Sequence, residues 1–99
     1  MDITITQNDN LVTVNIEGRL DTVTAPELEN GLASYLDGST DLTLDCGKME
    51  YVSSAGLRVI LPLHKPLASK GRKFSLKDLN KDVRNVFDMT GFSRILTIE

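Results

Sequence analysis

Short apolar runs of two different periods follow one another along this chain, and their order limits the folds open to it. Ile3 and Ile5 alternate with Thr4 and Thr6, and Val12, Val14 and Ile16 alternate with Thr13, Asn15 and Glu17. A period of two places one set of side chains on one face of a strand. Asn8-Asp9-Asn10 between the runs is turn chemistry. Residues 3–17 are therefore expected to form a hairpin with one buried face, ended by Gly18.

The period then lengthens. Leu28, Leu32, Tyr35 and Leu36 recur at helical spacing behind Thr24, Pro26 and Glu27. Those three have the form of a capping box with proline in the first turn, and Gly38 supplies a stop. The run DLTLDC, residues 41–46, reads as a short strand, and residues 54–69 as a helix ended by Gly71. Lys73 to Leu76 form another short strand. Asn80 can cap a helix that carries Val83, Val86 and Phe87 on one face. Thr90 and Gly91 close that helix, with Met89 and Phe92 packing nearby, and Ile95, Leu96 and Ile98 suggest a last strand. The order is ββαβαβαβ. Strands alternating with helices after one hairpin imply the α/β class: one domain over residues 1–99, with a mixed, largely parallel sheet of about 4–5 strands and about 3–4 helices packed on it. One place resists this pattern. Pro62 and Pro66 fall inside the helix at 54–69, where an interior proline costs about 3 kcal/mol. Their spacing puts both on one face, so they bend the helix together, or the helix breaks near Leu61.

Charge narrows the function classes. Eleven basic and 14 acidic side chains are mixed along the sequence, for a net charge of −3. Nucleic acid binding needs a basic face, so nucleic acid is not the expected partner. No apolar run approaches the ~20 residues of a membrane span. The opening MDITITQND is acidic and alternating, unlike a signal peptide. Cys46 is the one cysteine. It can form no internal disulfide, fits a reducing compartment, and reads as a small buried hydrophobe. A cytoplasmic chain, complete as given, is expected.

Catalytic devices are missing from the pattern. His64, the one histidine, lies about ten residues into a helix that begins at Ser54, some ~15 Å from its start at 1.5 Å per residue. That is too far for it to act as a base to the serines. One His and one Cys make no metal site. No P-loop or dinucleotide fingerprint is present, so no cofactor is expected.

The stretch VSSAGLR, residues 52–58, is different. Two adjacent hydroxyls stand where a strand and its loop give way to a helix. Ser54 falls at or near the N-cap, where a serine oxygen accepts a backbone N–H. The same place offers free N–H groups and partial positive charge, which would suit a phosphate. Gly56 is expected to leave the backbone uncovered, so that a kinase could approach closely. Phosphorylation would add roughly −1.5 to −2 charge with three acceptor oxygens.

Three separated motifs carry a resemblance over essentially all 99 residues: GRLD at 18–21, YVSSAGLRVIL at 51–61 and VFDMTGFSRIL at 86–96. The chain resembles the bacterial anti-sigma factor antagonists, the small proteins of the STAS domain family. The resemblance implies a protein without catalytic activity, acted on at Ser54, two residues before Gly56. Ser53 takes a position often held by aspartate, which removes a possible charge beside the phosphate, and Ala55 is a tolerated small residue. Asp21, Ser53, Ser54, Ala55, Gly56 and Arg58 would form the partner-binding surface. Asp21 would help recognise the kinase or its nucleotide; on its own terms it also reads as an aspartate that orders the loop before Thr24. Asp45 could face the same surface or simply be a solvated strand end. Arg58 could pair with the phosphate or a partner carboxylate, or stand as an exposed helix arginine. The implied partners are an anti-sigma factor that is also an ATP-dependent serine kinase, bound by the unphosphorylated domain so that sigma factor is released, and a metal-dependent serine phosphatase that resets the switch. The alternative is a scaffold or transport-associated STAS module that binds a partner without phosphorylation.

Overall fold

The computed structural model describes every residue, Met1–Glu99. Strands β1 (Asp2–Asn8) and β2 (Leu11–Leu20) pair antiparallel, from Asp2 opposite Glu17 to Asn8 opposite Leu11. The turn is Asp9-Asn10, with Asp9 at φ +54°, a conformation that short polar side chains tolerate. Gly18 follows the last antiparallel pair and so ends the hairpin as expected, but it does not end the strand. It sits at φ +99° inside β2, where glycine takes the left-handed backbone without a Cβ penalty, and the strand runs on to Leu20.

Helix α1 (Ala25–Leu32) follows and tightens into a 3₁₀ turn at Ala33–Tyr35. Then come β3 (Asp41–Val52), α2 (Ser54–Ile60), a 3₁₀ turn at Leu61–Leu63, α3 (His64–Ala68), β4 (Phe74–Lys77), α4 (Lys81–Met89), a 3₁₀ turn at Phe92–Arg94 and β5 (Thr97–Ile98). The sheet order is β1-β2-β3-β4-β5, parallel everywhere except in the β1–β2 hairpin. The expected order and the mixed α/β class both hold.

Strand β3 is twice the expected length, at 12 residues. Its register against β2 slips twice: Asn15 faces Asp45 but Glu17 faces Lys48, and Gly18 faces Met49 but Arg19 faces Tyr51. Each slip leaves one extra residue on β3, the signature of a bulge. Alternation fails at Gly47-Lys48 and again at Glu50-Tyr51, where neighbours are exposed in pairs. A period-two reading therefore loses the strand after Cys46. The last strand is shorter than expected, because residues 92–94 turn as 3₁₀ and leave Ile95 56% exposed.

The helix expected over 54–69 breaks at Leu61. Pro62 lies in the 3₁₀ turn, and Pro66 is the third residue of α3. A missing N–H costs no intrahelical bond in a first turn, so the break removes the penalty that a continuous helix would carry. Gly71, at φ +74°, ends the unit: the Arg72 N–H donates to the Leu67 carbonyl at 2.8 Å, closing a Schellman-type turn. Asn80 caps α4 as expected. Its Oδ1 accepts the Val83 N–H at 2.8 Å, and its Nδ2 also donates to the Met49 carbonyl at 2.9 Å, clipping the helix to β3.

Val12, Val14 and Ile16 of β2, Leu42, Leu44 and Cys46 of β3, and Phe74 and Leu76 of β4 are buried. They meet Leu28 and Leu32 of α1, Leu57 and Ile60 of α2, Leu67 of α3, and Val83 and Phe87 of α4 in one apolar cluster, so the chain is a single domain. Ile3 and Ile5 pack against its edge. No helix is long and apolar enough to cross a membrane.

Cys46 is fully buried among these residues. Burial, with smaller effects from the Asp45 and Asp78 charges, pushes its thiol up to about 12. Because the thiolate is the reactive form, the native protein is expected to resist a soluble thiol reagent at neutral pH and to label fully in denaturant. Rapid native labelling followed by mass spectrometry would contradict this burial.

Candidate functional site

The two serines do different work. Ser53, in extended backbone at φ −98° and ψ 174°, is the N-cap of α2, and its Oγ accepts the Gly56 N–H at 3.3 Å. Ser54 is the first residue of the helix proper and is exposed. The cap therefore lies one position earlier than the sequence pattern suggested, which frees the Ser54 hydroxyl from a structural duty. Ser53 also ties the loop to the sheet. Its N–H donates to the Leu20 carbonyl at 2.9 Å, and its carbonyl accepts the Leu57 N–H at 3.0 Å.

Gly56 is not the uncovered backbone that was expected. It is buried, and a Cβ built on it would lie 2.7 Å from Leu20 Cγ and 3.0 Å from the Leu20 carbonyl oxygen. Glycine is required here because α2 starts directly against the end of β2, not because an outside enzyme needs room. Ala55 is half-buried against the core, and Arg58 is exposed.

Asp21 follows β2 at the same end of the molecule. Its Oδ1 accepts the N–H groups of Val23 at 3.0 Å and Thr24 at 3.1 Å. The Thr24 hydroxyl accepts the Asp21 N–H at 2.9 Å and donates to the Arg19 carbonyl at 2.8 Å. Thr24 makes no cap bond to its own helix, so the expected capping box does not form; Asp21 takes over the free N–H groups ahead of α1. The Thr24 N–H above all, then the Thr24 hydroxyl, the Val23 N–H and the Arg19 charge, hold the Asp21 carboxyl below its ordinary 3.8, with partial burial opposing them.

Two residues that sequence reasoning passed over join this end. The Arg19 guanidinium lies 4.3 Å from the centre of the Tyr51 ring, a cation–π distance. Its Nε is 3.9 Å from Asp21 Oδ2. Val23 beside them is 80% exposed and Tyr51 is 41% exposed. Both Arg19 and Tyr51 stand in the motifs that carry the resemblance, but they face each other only through the second bulge in β3. Asp45 does not belong here. β3 continues past it to Val52, and Asp45 lines a separate polar hollow on the sheet with Asp2, Thr4, Glu17 and Asp78, its Oδ2 3.9 Å from the Lys77 ammonium. His64 opens α3, where its Nδ1 donates to the Leu61 carbonyl, away from the serines.

An exposed hydroxyl at the start of a helix that is capped by its neighbour is open to modification or binding. Comparison with known proteins places the chain in a family. The profile of the STAS domain family matches residues 2–99. BtrV of Bordetella bronchiseptica is 34% identical over 99 residues, which span 99% of this chain and 85% of BtrV. The anti-sigma-B factor antagonist of Bacillus subtilis is 30% identical over 98 residues, spanning 99% of this chain and 90% of that protein. The fold also matches the Bacillus cell fate determinant SpoIIAA. Its unphosphorylated form has a TM-score of 0.77 at 13% identity, covering 99% of this chain and 87% of that one. Its phosphorylated form has a TM-score of 0.76 at 14% identity, covering 99% and 91%.

The geometry ranks three substitutions in urea unfolding. Gly56→Ala forces Leu20 aside and is expected to cost about 1–3 kcal/mol. Ser53→Ala loses the cap, about 1 kcal/mol. Ser54→Ala is expected to stay within about 0.5 kcal/mol of wild type. A larger loss at Ser54 than at Ser53 would refute the assignment of the cap. Asp21 adds a pH dependence. Because its folded pKa is depressed, its contribution is present above the ordinary carboxylate value and is lost as pH falls through the lowered one. The urea midpoint of wild type should therefore drop more steeply below about pH 4 than that of Asp21→Asn; identical acid limbs would contradict the Asp21 hydrogen bonds.

Proposed function

Because the chain belongs to the STAS domain family, we propose that it is a phosphorylation-controlled partner switch rather than an enzyme. Unphosphorylated, it binds an anti-sigma factor that is also a serine kinase, and sigma factor is released. The kinase transfers phosphate to Ser54, the complex separates, and a metal-dependent serine phosphatase restores the starting state. One observation carries this reading: Ser53 meets the helix's need for a cap, so the Ser54 hydroxyl beside it is exposed and uncommitted. The relative named as an anti-sigma-B factor antagonist supports the partner class. The likeness to SpoIIAA supports a fold that persists with and without phosphate.

The energetics run in the required direction. Burying a new dianion in an interface is costly unless it is paired. A penalty of ~3 kcal/mol weakens binding by roughly a hundredfold, since 1.4 kcal/mol is a factor of ten. Asp21 and Arg58 flank the modified position as contact residues. A fixed carboxylate at Asp21, already committed to Val23 and Thr24, keeps the loop in one shape for the kinase. Small size and the lack of a membrane-length helix suit action in the cytoplasm.

Incubation with ATP and a serine kinase of the anti-sigma factor class from the same organism is expected to place one phosphate on Ser54, read by mass spectrometry, and none on Ser54→Ala. Ser54→Asp is expected to bind that kinase about tenfold or more weakly. Phosphate elsewhere, or none with binding intact, would favour a scaffold that works without modification.

A further inference from the structure

We propose that Arg19 is the residue through which this domain selects its kinase: a guanidinium clamped on Tyr51 and presented to a carboxylate on the kinase's docking face. The proposal rests on the switch reading above and adds the chemistry of the partner surface.

The placement comes from the sheet. Leu20 faces Val52, and the Leu20 carbonyl accepts the Ser53 N–H. Arg19 and Tyr51 are the next pair back, one step along the sheet from the junction that leads through Ser53 into α2. The Arg19 side chain is 60% exposed, yet two contacts fix it, the Tyr51 ring at 4.3 Å and Asp21 Oδ2 at 3.9 Å. A long cation normally loses rotamer freedom when it binds. Here much of that loss has already occurred within the free domain, so presenting the charge to a partner costs less. A guanidinium stacked on a ring still has N–H groups at its edge in a planar fork, which matches a carboxylate.

Two guanidinium groups at this end, Arg19 and Arg58, are exposed and can each meet a carboxylate of a partner. Arg58 is exposed and takes part in none of the three ion pairs. Asp21 is the carboxylate in contact with Arg19, and its other oxygen is spent on two backbone N–H groups. Val23 and Tyr51 supply exposed apolar surface beside the cations. Glu50 and Asp82 border Tyr51 on its α4 side, where they line a slot with Val83 and Val86. A kinase face bearing carboxylates opposite Arg19 and Arg58 would also be repelled by a dianion placed on Ser54, so a single charge pattern accounts for docking and for release.

Calorimetric titration of the kinase that phosphorylates Ser54 tests this against wild type, Arg19→Glu, Arg19→Lys, Tyr51→Leu, Glu50→Lys and a remote control, Arg94→Glu. Arg19→Glu is expected to raise Kd about tenfold or more at low salt, with a smaller effect at high salt. Arg19→Lys and Tyr51→Leu should each weaken binding by roughly two- to fivefold, since lysine lacks the fork and leucine the clamp. Glu50→Lys should not weaken binding, and Arg94→Glu should leave it unchanged. If wild type is bound and phosphorylated on Ser54 while Arg19→Glu binds as well or better, Arg19 is not the selector and the switch still stands. If wild type is neither bound nor phosphorylated, the switch falls and this inference falls with it.

Discussion

The close approach of Gly56 to Leu20 sets the geometry of the functional end. A backbone carrying no Cβ at residue 56 lets α2 begin hard against the last residue of β2. The Ser53 N–H to Leu20 carbonyl bond then closes the same junction through the backbone. Any larger residue would push α2 outward and carry the serines with it. Close packing explains why such a shift is not absorbed locally: a dense interior has no slack to give. The glycine thus fixes the serines from inside the fold.

That junction also separates structure from chemistry at adjacent residues. The Ser53 oxygen satisfies a free N–H of α2, and Asp21 does the same for the turn ahead of α1. With both helix starts satisfied by neighbours, nothing inside the domain requires the Ser54 hydroxyl. A group that contributes little to stability can be modified without unfolding its host. Charge added there would alter the surface and leave the core as it was.

The charged surface around it depends on an irregularity in the sheet. Without the second bulge in β3, Arg19 would stand opposite Glu50, since Gly18 faces Met49. One extra residue moves Tyr51 into that place and turns a prospective ion pair into a stacked cation. Bulges re-aim side chains at strand ends in this way. The left-handed Gly18 on β2 lies at the same point, so both strands adjust there.

Much of the fold was legible from hydrophobic period alone. The hairpin, the alternation of strands and helices, the Asn80 cap and the glycine stops at 71 and 91 all rest on interactions within a few residues, which a sequence carries directly. The motif at 51–61 located the serines, and together with those at 18–21 and 86–96 it carried the resemblance to the family. Long-range contacts decided the rest. Which serine caps α2 depends on where β3 ends, and β3 outlasted its period-two signal because two bulges broke the alternation. The role of Gly56 depends on Leu20, distant in sequence, and so does the pairing of Arg19 with Tyr51. The elements and their order follow from local periodicity and turn chemistry, and the serine pair was picked out by the motifs that carry the family resemblance. Which hydroxyl is free and which cation is held on Tyr51 depend on strand register, which arises only when separate segments pack.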